Sequence, residues 1–423
     1  MVDEDSDLST GFKDIAVGML LLFGLAFFLG VKHGINALSF VLTIFAAVNI
    51  CQYPEKFIKN RPKEFWILLA VLLTPFFSEL CSHGLRLSIV ASRLDGDSRF
   101  LLAAVLFVFL SAQPIRHLRS FLYFGCVLGI LVGVFNCLLF PEYTVAWDGR
   151  LATSFIDPIT LPVFTSALFG GILFCQGVDR FRLPHQLLVL MLGIITLSVA
   201  ILSQSRTSWI AIVILVETFL FFKLGKFSKR FFFVQLLLIV LMMLSFSNFE
   251  LVKDALQRSL SDLNDIRNGT LNSSIGIRLG LFLLDLKLIL MSPLTGTPDG
   301  VLPPFEAFRD LYPWVNHGTY MTKLLAGSHN EFLARLVRGG VILGTFSLIS
   351  LFFYPVWFFY THLKSPLDEV RKTSIVAFGV LIPLLISAMS IQILNLKVTS
   401  TFYSFFLAVC FAIILQNKEK VKS

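Results

Sequence analysis

Residues 184–222 read PHQLLVLMLGIITLSVAILSQSRTSWIAIVILVETFLFF. Two apolar runs, 184–202 and 207–222, are split by the short polar break Ser203-Gln204-Ser205-Arg206. A helix needs about 20 apolar residues to cross the hydrocarbon core of a bilayer, and each run comes close to that length. A surface helix of a water-soluble domain keeps one apolar stripe and a polar back. These runs are apolar all round, so lipid is their solvent. The break leaves room only for a hairpin, which puts Arg206 where the chain emerges into water.

The same pattern repeats outward in both directions. On the length criterion, about twelve spans are expected, near 12–31, 35–51, 64–81, 99–114, 119–140, 158–177, 184–202, 207–222, 230–247, 340–360, 373–390 and 398–415. The whole chain of 423 residues is 56% hydrophobic and only 15% charged, with 45 Phe. One water-soluble core cannot hide that much apolar surface. The net charge of +8 does not point to nucleic acid, because Lys and Arg sit in short clusters between apolar runs. None of the six cysteines stands in a C-x-x-C pair, and most fall inside apolar runs, where Cys acts as a small hydrophobe. Met1–Asp14 is acidic and lacks the basic start of a signal peptide, so the first span is expected to be retained.

The loops set the orientation. Alternate loops on one side hold nineteen of the 35 basic residues, and the short loops of the other side hold seven. The positive-inside rule places the first side, and both termini, in the cytoplasm. The remaining nine basic residues lie in one long outer connection, which escapes that rule. The expected organisation is nine spans over 1–247, an outer loop with surface helices over 248–339, and three spans over 340–423.

Three outer-side motifs carry possible chemistry. In Ser205-Arg206-Thr207, Ser205 or Thr207 can cap the helix that follows. A helix N-terminus beside an Arg is a ready phosphate site, although an Arg there can also simply snorkel to the interface. In Ser273-Ser274-Ile275-Gly276-Ile277-Arg278 and its continuation to Met291, a Ser caps an amphipathic helix on the membrane surface or over the bundle. Arg278 and Asp285 are seven apart and share a face, so a structural pair between them competes with a catalytic role for Arg278. Gly276 would let a backbone or ligand approach closely. In Ser328-His329-Asn330-Glu331, His329 is the best-placed outer base, Asn330 could bond an acceptor, and nearby arginines would keep the imidazole neutral. A helix-start His that satisfies backbone groups is the plainer alternative.

Asp95-Gly96-Asp97 and Asp148 could hold a divalent ion, but the spacing is generic and hydrated loop acids are the simpler reading. A Walker loop, a nucleophile elbow and H-E-x-x-H are all missing. Any transfer reaction must therefore draw its energy from its donor, and no metal or cofactor is expected.

Taken in order, the motifs resemble the O-antigen ligase and polymerase superfamily. The matching features are Ser205-Arg206-Thr207, then Gly276-Ile277-Arg278-Leu279 running to Ser292-Pro293-Leu294-Thr295-Gly296, then His329-Asn330 and Gly339-Gly340 to Gly344. Arg338 stands where a Glu is often found, and it could add to an anion site. The resemblance implies an all-α, GT-C-like glycosyltransferase of the bacterial inner membrane with a periplasmic active site. Its donor would be a glycan on undecaprenyl diphosphate, held by Arg206 and Arg278, with His329 as base. The favoured acceptor is the lipid A–core oligosaccharide. A polymerase, a protein O-oligosaccharyltransferase and, from another class, an anionic-lipid transporter are the competing readings.

Overall fold

In the computed structural model of the protein, 184–222 forms a hairpin of two helices, Leu183–Leu202 and Arg206–Leu224. Gln204 turns it in the left-handed region at φ 54°. The structure describes residues 4–82, 94–113, 115, 117–178, 183–224, 257, 260–262, 264–267, 273–297, 302–394 and 396–422. The ninth expected span, 230–247, and much of the start of the expected outer loop lie outside the described residues.

Fourteen α-helices of nine residues or more organise the described residues: α1 Glu4–Ala26, α2 Gly34–Gln52, α3 Lys63–Ser82, α4 Leu94–Ala112, α5 Leu118–Leu139, α6 Thr160–Val178, α7 Leu183–Leu202, α8 Arg206–Leu224, α9 Ser274–Met291, α10 His317–Ala326, α11 Glu331–Leu348, α12 Tyr354–His362, α13 Asp368–Ala388 and α14 Lys397–Lys422. A helix stands at each described position where a span is expected, and seven are long and apolar enough to cross a membrane. The chain is a multi-pass membrane protein. The lipid side shows in α7, whose Leu187, Leu190, Ile194 and Leu197 are exposed along one face. In a bilayer that face meets acyl chains rather than water.

At the centre stands α14, whose apolar stretch is entirely buried. Phe402 of α14 stacks on Phe28, in the turn after α1, at 4.5 Å between centroids, and Phe164 of α6 meets both rings edge-on. The helices α6 and α13 cross with backbones in contact. A Cβ on Gly170 would strike the carbonyl of Gly379, and one on Gly379 would strike that of Gly170. Small residues at such crossings supply the close packing that replaces the hydrophobic effect inside lipid.

The helix expected from 340 begins earlier, at Glu331. Its first turns hold charged residues that an apolar count excludes, yet Arg335 bonds Glu331 at 2.8 Å and Asp97 at 2.7 Å, and all three are buried. Paired charges can enter a bundle that unpaired ones cannot. The helix then kinks at Gly340, φ 63°. The turn after α9 docks into that kink: Thr297 N–H donates to Val337 O at 2.6 Å, and Val341 N–H donates to Pro293 O at 2.7 Å. Further on, Ile349–Phe353 forms a π turn. The buried Tyr403 hydroxyl donates to the Leu351 carbonyl within it.

The bundle has two polar ends. At one, Arg61 meets Glu419, Arg119 meets Glu369 and Lys418 meets Glu64. At the other, Arg206, α9, α10 and the start of α11 gather with the loops around 150–157 and 389–397. These are the two loop sets that the charge count separates. Asp95 and Asp97 lie at the second end, but not as hydrated loop acids. They open α4, with Asp97 buried against Arg335 and Asp95 paired to Arg99 and Lys397.

Candidate functional site

The tight α7–α8 turn is braced from the side by residues 150–151. Leu151 N–H donates to Leu202 O at 3.1 Å, the Ser203 hydroxyl to Leu151 O at 3.0 Å, and Arg150 Nε to Ser203 O at 3.1 Å. Arg206 is the first residue of α8. The buried Ser205 hydroxyl pairs with that of Ser208 at 3.0 Å, and Thr207 Oγ1 lies 2.8 Å from Ser390 Oγ beyond the end of α13. The first bond closes the opening turn of α8, and the second holds it against the end of α13. Arg206 Nη1 meets Asp262 at 3.3 Å and keeps a third of its side chain exposed.

Ser273 caps α9, its hydroxyl accepting from Gly276 N–H at 3.2 Å. Gly276 is therefore part of the cap, buried under the first turn. One turn on, Gly280 lets α9 approach the Trp314 carbonyl, which a Cβ would meet at 2.5 Å. Between them, Arg278 is partly buried. Burial lowers its pKa, and the neighbouring guanidinium groups of Arg206 and Arg150 lower it further, while Asp262 opposes them. An arginine stays charged under such pressure. Arg206 and Arg150 thus lie near enough to Arg278 to act on its charge, with Asp262 answering in part, a field that an anion would relieve.

The pair of Arg278 with Asp285 that the spacing suggests is not among the described ion pairs. The Asp285 carboxylate is taken from the other side by Lys323 of α10, at 2.6 Å, and by the Ser328 hydroxyl at 3.0 Å.

His329 lies in the turn between α10 and α11, between Ser328 and Asn330. Burial lowers its pKa first, and the cations Arg278 and Lys323 lower it further, against Asp157. These surroundings favour the neutral imidazole, the form that can take a proton. Asn330 has both ends of its amide engaged: Oδ1 accepts from Leu333 N–H at 3.0 Å as the α11 cap, and Nδ2 donates to Met389 O at 2.9 Å. It fixes the turn that carries His329.

Arg206 and His329 thus each lie near enough to Arg278 to interact electrostatically with it, with Ser205, Thr207, Gly276 and Asn330 bonded in the turns that carry them. Arg338 goes elsewhere. It lies 3.9 Å from both Glu79 and Glu331, so carboxylates of its own bundle answer its charge. Arg150, Asp157, Asp262 and Lys323 join the cluster without having been singled out from the chain. Arg150 had one weak signal, as the lone basic residue of an outer loop. The others had none, since spacing along the chain says nothing of which helix lies opposite. Among the described residues, no three His, Cys, Asp or Glu side chains group as metal ligands would.

Residues 189–349, from within α7 to the end of α11, match the family model described as O-antigen ligase. The matched stretch includes every residue of the cluster except Arg150 and Asp157. No curated protein matches the chain.

Proposed function

This chain is a member of the O-antigen ligase and polymerase superfamily through residues 189–349, and we propose that it is an O-antigen ligase. It moves a glycan from undecaprenyl diphosphate to the lipid A–core oligosaccharide at the periplasmic face of the inner membrane. The observation that carries this reading is Arg278, whose charge feels the neighbouring Arg206 and which, after burial and together with Lys323, lowers the pKa of His329.

His329 takes the proton of an acceptor hydroxyl as its oxygen attacks the anomeric carbon. The bond from that carbon to the diphosphate oxygen breaks, and its electron pair stays on the phosphate. Arg206 and Arg278 stabilise the charge that grows there, with two-pronged hydrogen bonds that a lysine cannot copy. A single displacement inverts the anomeric centre. The arginines supply the positive charge, so the reading requires no metal or cofactor. The departing undecaprenyl diphosphate stays in the membrane, where the lipid-facing helices offer apolar surface to its tail.

The test is purified protein given a polyprenyl-diphosphate glycan and lipid A–core, with EDTA present. Glycan-capped lipid A–core is the expected product. Elongated lipid-linked glycan with no capped core would select a polymerase, and donor movement across a bilayer without any bond made would select a transporter. Either result overturns the ligase reading.

A further inference from the structure

Besides the Arg335 pairs at the start of α11, the described outer region contains a buried ion pair that the reaction above does not use. Lys323 and Asp285 are 3% and 1% exposed at the side chain and 2.6 Å apart. The buried Ser328 hydroxyl accepts a hydrogen bond from Lys323 and donates to Asp285 at 3.0 Å. A buried pair of this kind is seldom worth more to stability than apolar residues of the same size. Its placement, however, ties the site together. Asp285 shares α9 and a helix face with Arg278, about 10 Å further along the axis. Ser328 is the residue before His329. Lys323 sits on α10, whose end turns through Gly327 at φ 77°, with Gly327 N–H donating to Lys323 O at 3.0 Å. On the far side of His329, Asn330 is pinned to Met389 O.

We propose that Lys323, Asp285 and Ser328 form a positioning clamp that fixes His329 relative to Arg278 and presents a cation to the imidazole. The inference rests on the reading of His329 as the base. The clamp is the described hydrogen-bonded link that runs directly from α9 to the His329 turn, and a shift of an ångström between a base and a bound diphosphate is enough to cost most of the rate. The charged groups that act on His329 are Arg278 from α9, Lys323 from α10 and Asp157 from the turn before α6, with Asp285 bonded behind Lys323.

The substitutions Lys323→Met and Asp285→Asn separate this from a structural role. Each should lower kcat about tenfold or more, because the clamp is broken in both, while donor KM changes little, because Arg206 and Arg278 remain. Their effects on the imidazole should be opposite. Removing Lys323 takes away a cation and leaves Asp285, so His329 titrates higher. Removing the Asp285 charge leaves Lys323 unanswered, so His329 titrates lower. Shifts of roughly half a pH unit or more are expected each way. They are read as the acid limb of the pH–rate profile and, independently of turnover, as the pH dependence of diethylpyrocarbonate modification at His329, quantified by mass spectrometry. The double substitution Lys323→Met with Asp285→Asn should return the limb close to its original place. Opposed shifts support the clamp, and any other pattern overturns it. If modification titrates as expected but transfer does not follow it, the clamp stands and the base assignment falls.

Discussion

Arg335 holds Asp97 through both carboxylate oxygens, at 2.9 and 2.7 Å, joining two residues 238 positions apart in the chain. Both are buried, as is Glu331, which takes the guanidinium from its own helix at 2.8 Å. The bond fastens α11, and with it the His329 turn, to α4 at the core. Arg335→Met alone leaves two buried carboxylates facing each other and should cost about 3–5 kcal/mol. Adding Asp97→Leu removes part of that conflict and should recover a good part of the loss. Thermal unfolding of the detergent-solubilised protein checks both. A single substitution as stable as the parent would mean the pair contributes little.

His329→Ala should abolish glycan transfer while binding of the lipid-linked donor persists, because the two arginines are untouched. Equilibrium binding of labelled donor, measured beside single-turnover transfer, separates these outcomes. Transfer at the normal rate would remove the imidazole from the chemistry.

The transfer rate should also depend on pH in a definite direction. Burial and the neighbouring cations lower the His329 pKa below its ordinary value of 6.5. Activity needs the neutral imidazole. It should therefore survive as pH falls through the usual histidine range and decline only below it. An acid limb at or above the ordinary value would contradict the electrostatic surroundings described for His329.

Arg206→Lys and Arg278→Lys keep the charge and lose the planar fork. With hydrogen bonds to charged groups worth about 1.5–3 kcal/mol, each should reduce kcat/KM by roughly ten- to a hundredfold. Steady-state kinetics with the lipid-linked donor gives the answer. Unchanged kinetics in both would reduce the arginines to general charge attraction.

Gly340 holds the kink in α11 at φ 63°, and a Cβ there would meet the carbonyl oxygens of Leu294 and Pro293 at 2.6 and 2.7 Å. Both neighbours are backbone and cannot swing aside. Gly340→Ala should cost about 1–3 kcal/mol through backbone strain alone, and should loosen the turn after α9. A lower unfolding temperature, with faster proteolysis in the 292–297 turn, is the expected result. An unaltered protein would show that the kink relaxes without cost.

The helices of the bundle, and the place of Arg206 at a mouth of it, follow from the chain alone. Hydrophobic run length measured against bilayer thickness is a local property, and every described run of that kind became a helix. The three motifs could also be read one by one, because a cap, a short turn or a Pro-Gly stop is written in neighbouring residues. What the chain could not state is who stands opposite whom. The i, i+7 spacing of Arg278 and Asp285 suggests a pair, yet Asp285 turns to Lys323 on another helix. The apolar count starts the helix after His329 at 340, but a carboxylate from α4 lets it begin at Glu331. Arg150 is one more loop arginine until the α7–α8 turn draws it beside Arg206 and Arg278. Charge pairing and pKa depend on distance through space between segments far apart in the chain, and the tertiary packing of helices alone sets that distance.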